Sequence, residues 1–101
     1  DIISNGTSSV NNFTEAKIGI LENYPNPASS HTTIKFSCSG GYVKIRLFDH
    51  IGREILTITE NDYSKGTHEV ILNTESLNNG TYYYQVQQGA SQLMKTLIVA
   101  K

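Results

Sequence analysis

A single cysteine, Cys38, stands among 101 residues. That excludes an intrachain disulfide and any zinc site built from several cysteines. Charge of one sign is also lacking: eight basic residues meet nine acidic ones, for a net charge of −1. An electrostatic nucleic-acid binder would show a basic stripe, and a polybasic membrane anchor would show a basic cluster. No apolar run approaches the roughly 20 residues of a membrane-spanning helix. Asp1 is followed by neither a basic n-region nor an apolar h-region, so no signal peptide is visible and the chain reads as a piece of something longer. What is present is a globular composition, 38% hydrophobic and only 17% charged, too little charge for a typical disordered chain. The length suits one domain with a modest core.

Residues 1–17 differ from the rest. Ser4 to Ser9 and Asn11-Asn12 are small, polar and aperiodic, and cannot bury enough apolar surface to offset their ordering entropy. They read as a linker, open to proteolysis. From Ile18 to Lys101 the period is that of strands. Thr32 to Ser37 alternates polar and apolar, and Val43, Ile45 and Leu47 share a face opposite Lys44 and Arg46. Arg53 to Thr59 forms the next strand, where Ile55, Leu56 and Ile58 crowd together and predict a bulge near Ile55. His68, Val70 and Leu72 share one face, as do Tyr82, Tyr84 and Val86. Leu93 to Ala100 is apolar apart from Lys95 and Thr96, which predicts a strand covered on both faces or one that meets a partner.

The turns fit this pattern. Ser39-Gly40-Gly41 and Gln88 to Ser91 read as hairpin turns. Asp49-His50-Ile51-Gly52 reads as a type I turn, with Gly52 supplying a positive φ. No window carries a capped helical period, although Glu75-Ser76-Leu77 has room for one helical turn. About seven short strands predict an all-β, antiparallel, Ig-like β-sandwich. Leu77-Asn78-Asn79-Gly80-Thr81-Tyr82 has the spacing of a tyrosine corner, in which the Tyr82 hydroxyl bonds back to upstream backbone and Leu77 plugs the core. The cysteine and tryptophan pattern of an antibody domain is absent, so the likeness is one of architecture.

No constellation supports catalysis or a cofactor. His31, His50 and His68 lack the spacing of a simple metal pair. Glu60 and Asp62, flanking Asn61 in an expected loop, lack the ligand count and glycine of a calcium loop. Cys38 has no basic neighbour in sequence to activate it, and neither a nucleophile elbow nor a phosphate-binding loop occurs. Tyr83, facing away from Tyr82 and Tyr84, is a candidate for sugar stacking, with Tyr42, Phe48 and Tyr63 as helpers; cross-strand packing is the simpler reading. Asn5-Gly6-Thr7, Asn12-Phe13-Thr14 and Asn79-Gly80-Thr81 match the N-glycosylation pattern, which matters only on a eukaryotic secretory route.

Asn23-Tyr24-Pro25-Asn26-Pro27 opens an ordered series: Thr33 to Phe36, Val43 to Asp49, Gly52-Arg53-Glu54, Gly66-Thr67-His68, Leu77 to Tyr84, and Lys95 to Lys101. With this series the chain resembles the type A C-terminal sorting domain of the type IX (Por) secretion system, from about Leu21 to Lys101. Where the family often carries Phe after the second proline, this chain has Ala28. Independently of the resemblance, Pro25 and Pro27 fix φ and favour extended geometry at Tyr24 and Asn26, predicting a stiff, accessible crossover between the first two strands. Gly52, Gly66 and Gly80 read as backbone requirements.

The resemblance implies a non-enzymatic delivery signal without a cofactor. Such a domain addresses an upstream cargo, which folds in the periplasm and passes to the cell surface or the medium. The implied partners are an outer-membrane translocon, a shuttle barrel and a cysteine-type sortase that removes the domain. The family's signal carries over to Lys95, Leu97, Ile98, Val99 and Lys101, with Gly80 and Tyr82 behind them. Cleavage is expected within residues 1–17, around Gly6, Thr7, Ser8 and Ser9, and the isolated domain is expected to be a monomer. The alternative class is a carbohydrate-binding or fibronectin-like accessory module.

Overall fold

A computed structural model describes residues 18–101 of the chain. Alternation of apolar and polar side chains dictates strands throughout: β1 (Gly19–Tyr24), β2 (His31–Cys38), β3 (Gly41–Phe48), β4 (Glu54–Tyr63), β5 (Gly66–Asn73), β6 (Gly80–Gln88) and β7 (Ser91–Val99). They build two antiparallel sheets, one ordered β1-β2-β5 and the other β4-β3-β6-β7. The architecture is the expected Ig-like sandwich.

Ile34 and Phe36 of the three-stranded sheet meet Val43, Ile45, Leu47, Tyr84, Val86, Leu97 and Val99 of the other, all essentially inaccessible to solvent. Each such aliphatic side chain contributes about 1.5–3 kcal/mol of transfer free energy. Phe36 also packs edge-on against Tyr63 at 5.2 Å between ring centroids, an arrangement favoured by the ring quadrupoles. His68 completes this group, with its ring 4.9 Å from that of Tyr63 and its Nε2 2.7 Å from the Ser64 carbonyl oxygen.

Two turns form as expected. Gly89-Ala90 joins β6 to β7, with Gln88 facing Ser91. Between β3 and β4 the Gly52 N–H donates to the Asp49 carbonyl at 3.0 Å, and Gly52 takes φ +88°. The Asp49 carboxylate binds this turn internally, accepting from the Ile51 and Arg53 N–H groups at 3.1 and 2.9 Å. The Arg53 N–H leads in holding its carboxyl below the ordinary value, since donated hydrogen bonds favour the ionised form.

The structure departs from the sequence expectations in four places. Ser39-Gly40 is not a hairpin turn: β2 pairs with β1 and β5, while β3 pairs with β4 and β6. The chain instead crosses there from one sheet to the other. Gln88 ties the crossover down, accepting from the Ser39 N–H at 3.4 Å and donating to the Gly40 carbonyl at 2.9 Å. Glu60-Asn61-Asp62 is strand rather than loop, because β4 continues opposite Tyr42 to Lys44. Glu75-Ser76-Leu77 forms no helical turn: Thr74 to Leu77 is a non-helical turn closed by the Leu77 N–H on the Thr74 carbonyl at 3.0 Å. Finally, of the two expectations for β7, cover on both faces fails, and even the inner face is open at Leu93 and Lys95. Leu97 and Val99 are buried, but Leu93, Met94 and Ile98 are exposed. The expected bulge near Ile55 is present, with a second at Ile58.

Candidate functional site at the end of the last strand

The C-terminal end of β7 is held from two sides. On its outer side runs the segment that joins β1 to β2. Pro25, Asn26 and Pro27 are exposed, whereas Ala28 is fully buried beside Val99. The Ala28 N–H donates to the Ile98 carbonyl at 2.8 Å, and the Ala100 N–H donates to the Ala28 carbonyl at 2.9 Å. Asn26 Oδ1 accepts from the Ile98 N–H at 3.1 Å. A large side chain in place of Ala28 would have to fit where strand backbone closely approaches.

The second hold is the loop before β6. The Tyr82 hydroxyl donates to the Asn78 carbonyl at 2.7 Å, which is the tyrosine corner expected from the sequence. Leu77 is buried beneath it. The Lys101 N–H donates to Asn79 Oδ1 at 3.0 Å, and its ammonium donates to the Glu75 and Leu77 carbonyls at 2.7 and 2.5 Å. A cation is well matched to carbonyls that no strand partner satisfies.

Thr74 links the two holds. Its N–H and hydroxyl donate to the Ser30 and Ser29 carbonyls at 2.9 and 3.1 Å. Beneath the assembly, the Tyr84 hydroxyl donates to Asn23 Oδ1 at 2.9 Å. Burial pushes the Tyr84 phenol up to about 12, because the charged form loses its water.

Tyr24, Pro25, Asn26 and Pro27 are thus brought together with Leu77, Gly80, Tyr82, Ile98, Val99 and Lys101 at one end of the sandwich. Gly52 lies in the neighbouring β3–β4 turn, whose residues His50 and Arg53 share a surface groove of about 440 Å³ with Asn78 and Asn79. Gly66 sits at the opposite end, facing Cys38. Lys95 lies mid-strand opposite Tyr84, away from both holds. Thr74, Ala28 and the Asn79 side chain escape sequence reasoning, since their role depends on long-range carbonyl and backbone partners. Gly6, Thr7, Ser8 and Ser9 lie outside the described residues.

A sequence model described as the secretion system C-terminal sorting domain matches residues 22–100. The chain belongs to that family. It is therefore a C-terminal sorting signal of the type IX secretion system, destined for export to the cell surface or secretion. Among curated proteins none matches the chain.

Other candidate chemistry in the sorting domain is dispersed. Among the described residues no group of three or more His, Cys, Asp and Glu side chains could hold a metal ion. Cys38 is buried, with its thiol donating to the Ser64 carbonyl at 3.3 Å. Tyr83 pairs with Phe48, whose ring carries the Arg46 guanidinium at 5.4 Å, whereas Tyr42 stands at the far end of β3 and binds Glu60. Tyr63 is packed inside against Phe36. These aromatic rings form no common platform. Among the described residues no helix is long and apolar enough to cross a membrane.

Proposed function

We propose that residues 18–101 are the folded address of a cargo attached on their N-terminal side, and that residues 1–17 are the linker between them. The cargo folds in the periplasm before crossing the outer membrane. Lys95, Leu97, Ile98, Val99 and Lys101 carry the recognition surface, read by the translocon and its shuttle barrel. Leu97 and Val99 act from inside by fixing the strand, while Ile98 and Lys95 face solvent. Tyr24 to Pro27, Gly80 and Tyr82 position that strand.

The observation that supports this reading most is the convergence of two separated segments on the last residues of the chain. Asn26 and Ala28 hold one side of β7, and the loop Glu75–Asn79 holds Lys101. A spacer between domains would have no need for so many long-range bonds at its C-terminus.

A cysteine-type sortase then cuts within residues 1–17, around Gly6 to Ser9, where small residues offer accessible backbone. The domain is a substrate of that reaction and supplies no catalytic group to it.

The test is export of a periplasm-targeted fluorescent reporter carrying residues 1–101 at its C-terminus. Arrival at the surface or in the medium is expected in a bacterium with the type IX machinery and not in the same strain lacking the outer-membrane pore. Retention of an intact, folded fusion in both strains would refute the reading. The mass of the released reporter locates the cut, and a cargo ending beyond Ile18 would refute the linker assignment.

A further inference from the structure

The outward side of β7 is divided into a covered and an open part. Alternate residues of an antiparallel strand turn both N–H and C=O toward the same side. Ile98 turns both toward Asn26 and Ala28, at 3.1 and 2.8 Å. By the same alternation Thr96, Met94 and Gln92 turn theirs away from β6. Among the described residues no strand lies on that side, since β7 ends its sheet. The hold on the strand therefore stops at Ile98, and among the described residues the edge from Gln92 to Thr96 is left open.

Exposed edges are usually blunted. At the opposite border of the same sheet β4 is broken by bulges at Ile55 and Ile58. In β7 the register with β6 runs without a shift from Ser91 to Val99. Its open stretch is flanked by apolar side chains: Met94 is 55% exposed on the outer face, and Leu93 is 38% exposed on the other. Lys95, the one charged residue of this strand and the kind of side chain that blunts an edge, takes part in neither ion pair among the described residues. It occupies the same face as Leu97, opposite Tyr84.

We infer that the open edge Gln92–Thr96 of β7 docks an extended strand of the export receptor, which carries a carboxylate facing Lys95 and an apolar side chain over Met94. This rests on the sorting-signal reading and deepens it. Strand addition supplies main-chain hydrogen bonds for affinity and alternate side-chain contacts for specificity. The unpaired ammonium selects the charge of the partner. Threading of the C-terminal tail into a receptor is the competing route. It would first have to break the bonds of Lys101 to Glu75, Leu77 and Asn79, and those of Ile98 and Ala100 to the Asn26–Ala28 segment.

The reporter fusion with the full 101-residue chain tests this. Met94→Pro and Thr96→Pro each remove one outward N–H that the β6 ladder does not use, a substitution that edge strands accept. Both variants are expected to stay folded and to lower export about tenfold, the effect of losing one or two hydrogen bonds. Lys95→Glu is expected to lower export comparably, with Lys95→Arg retaining it. Wild-type export by folded Met94→Pro and Thr96→Pro would overturn the proposal. If both proline variants unfold, Lys95→Glu decides, since it alters an exposed side chain, and unchanged export there overturns it. A fusion that sediments as a dimer, becomes monomeric with Met94→Pro and is still exported would assign the edge to a second copy and likewise overturn it. Failure of the unmodified fusion to leave the periplasm would instead refute the sorting reading itself.

Discussion

Asn26 Oδ1 accepts the main-chain N–H of Ile98 at 3.1 Å, across 72 positions of the chain. One side chain of the proline-rich crossover thereby satisfies a group that a neighbouring strand would otherwise take. Replacing Asn26 with Ala is expected to free the Ile98 N–H and raise its hydrogen-exchange rate selectively, while amides of β2 and β3 keep theirs. Equal protection in both proteins would show that the bond contributes nothing in solution.

The tyrosine corner has a defined thermodynamic weight. Tyr82→Phe keeps the ring and removes the hydroxyl that donates to Asn78 at 2.7 Å. A loss of about 1 kcal/mol in unfolding free energy is expected, seen as a lower denaturant midpoint with an unchanged slope. An unaltered midpoint would contradict the bond's contribution.

Leu97 and Ile98 are neighbours with opposite roles. Leu97 is fully buried and Ile98 is 42% exposed. Leu97→Ala is expected to cost about 3 kcal/mol, by lost transfer energy and the cavity left behind. Ile98→Ala is expected to change stability by about 0.5 kcal/mol or less while still reducing reporter export. Denaturation and export measured on the same two variants separate folding from recognition. Export by Ile98→Ala at the wild-type level would remove that side chain from the recognition surface.

Stability should fall at both extremes of pH for different reasons. Tyr84 titrates near 10.0 when unfolded and at about 12 in the fold. Its raised folded value means that its contribution is complete below 10 and is lost as the pH rises toward 12. Tyr84→Phe should flatten this alkaline decline. Asp49 is the opposite case, held below its ordinary 3.8 chiefly by the Arg53 N–H. Its contribution is present above 3.8 and is lost as the pH falls through the lower folded value. Urea midpoints across pH check both, and an alkaline decline unchanged in Tyr84→Phe would contradict the assignment to that phenol.

Lys101 is expected to act through its ammonium. Lys101→Met keeps much of the aliphatic stem but abandons the Glu75 and Leu77 carbonyls, and Lys101→Arg keeps a cationic donor. Faster amide exchange around residues 75–79 is expected in the first variant and less in the second. Identical exchange in Met and Arg variants would place the hold elsewhere.

Period-two patterning made β2, β3, β5 and β6 legible, because each must present one apolar face to a core. The crowding of Ile55, Leu56 and Ile58 announced the bulge at Ile55 but not the second at Ile58, and the spacing from Leu77 to Tyr82 announced the corner. Pattern did not reveal that Ser39-Gly40 changes sheets. A strand pairing beside its predecessor and one packing over it have the same alternation, so the partner is left open. Nor did it show where β4 ends, since Glu60 to Asp62 is polar at a sheet border that faces water.

Most strands, the Asp49–Gly52 and Gly89-Ala90 turns and the family were readable from the sequence alone, since local backbone preferences and an ordered set of motifs suffice for these. That Asn26, Ala28, Thr74, Asn79 and Lys101 meet at one end of β7 emerges only on folding. Those residues are joined by hydrogen bonds between backbone and side chains far apart in the chain, and such bonds leave no periodic trace in sequence. The same packing left Lys95 and Met94 beside an open edge and buried Leu97 and Val99, although all four lie within one apolar run.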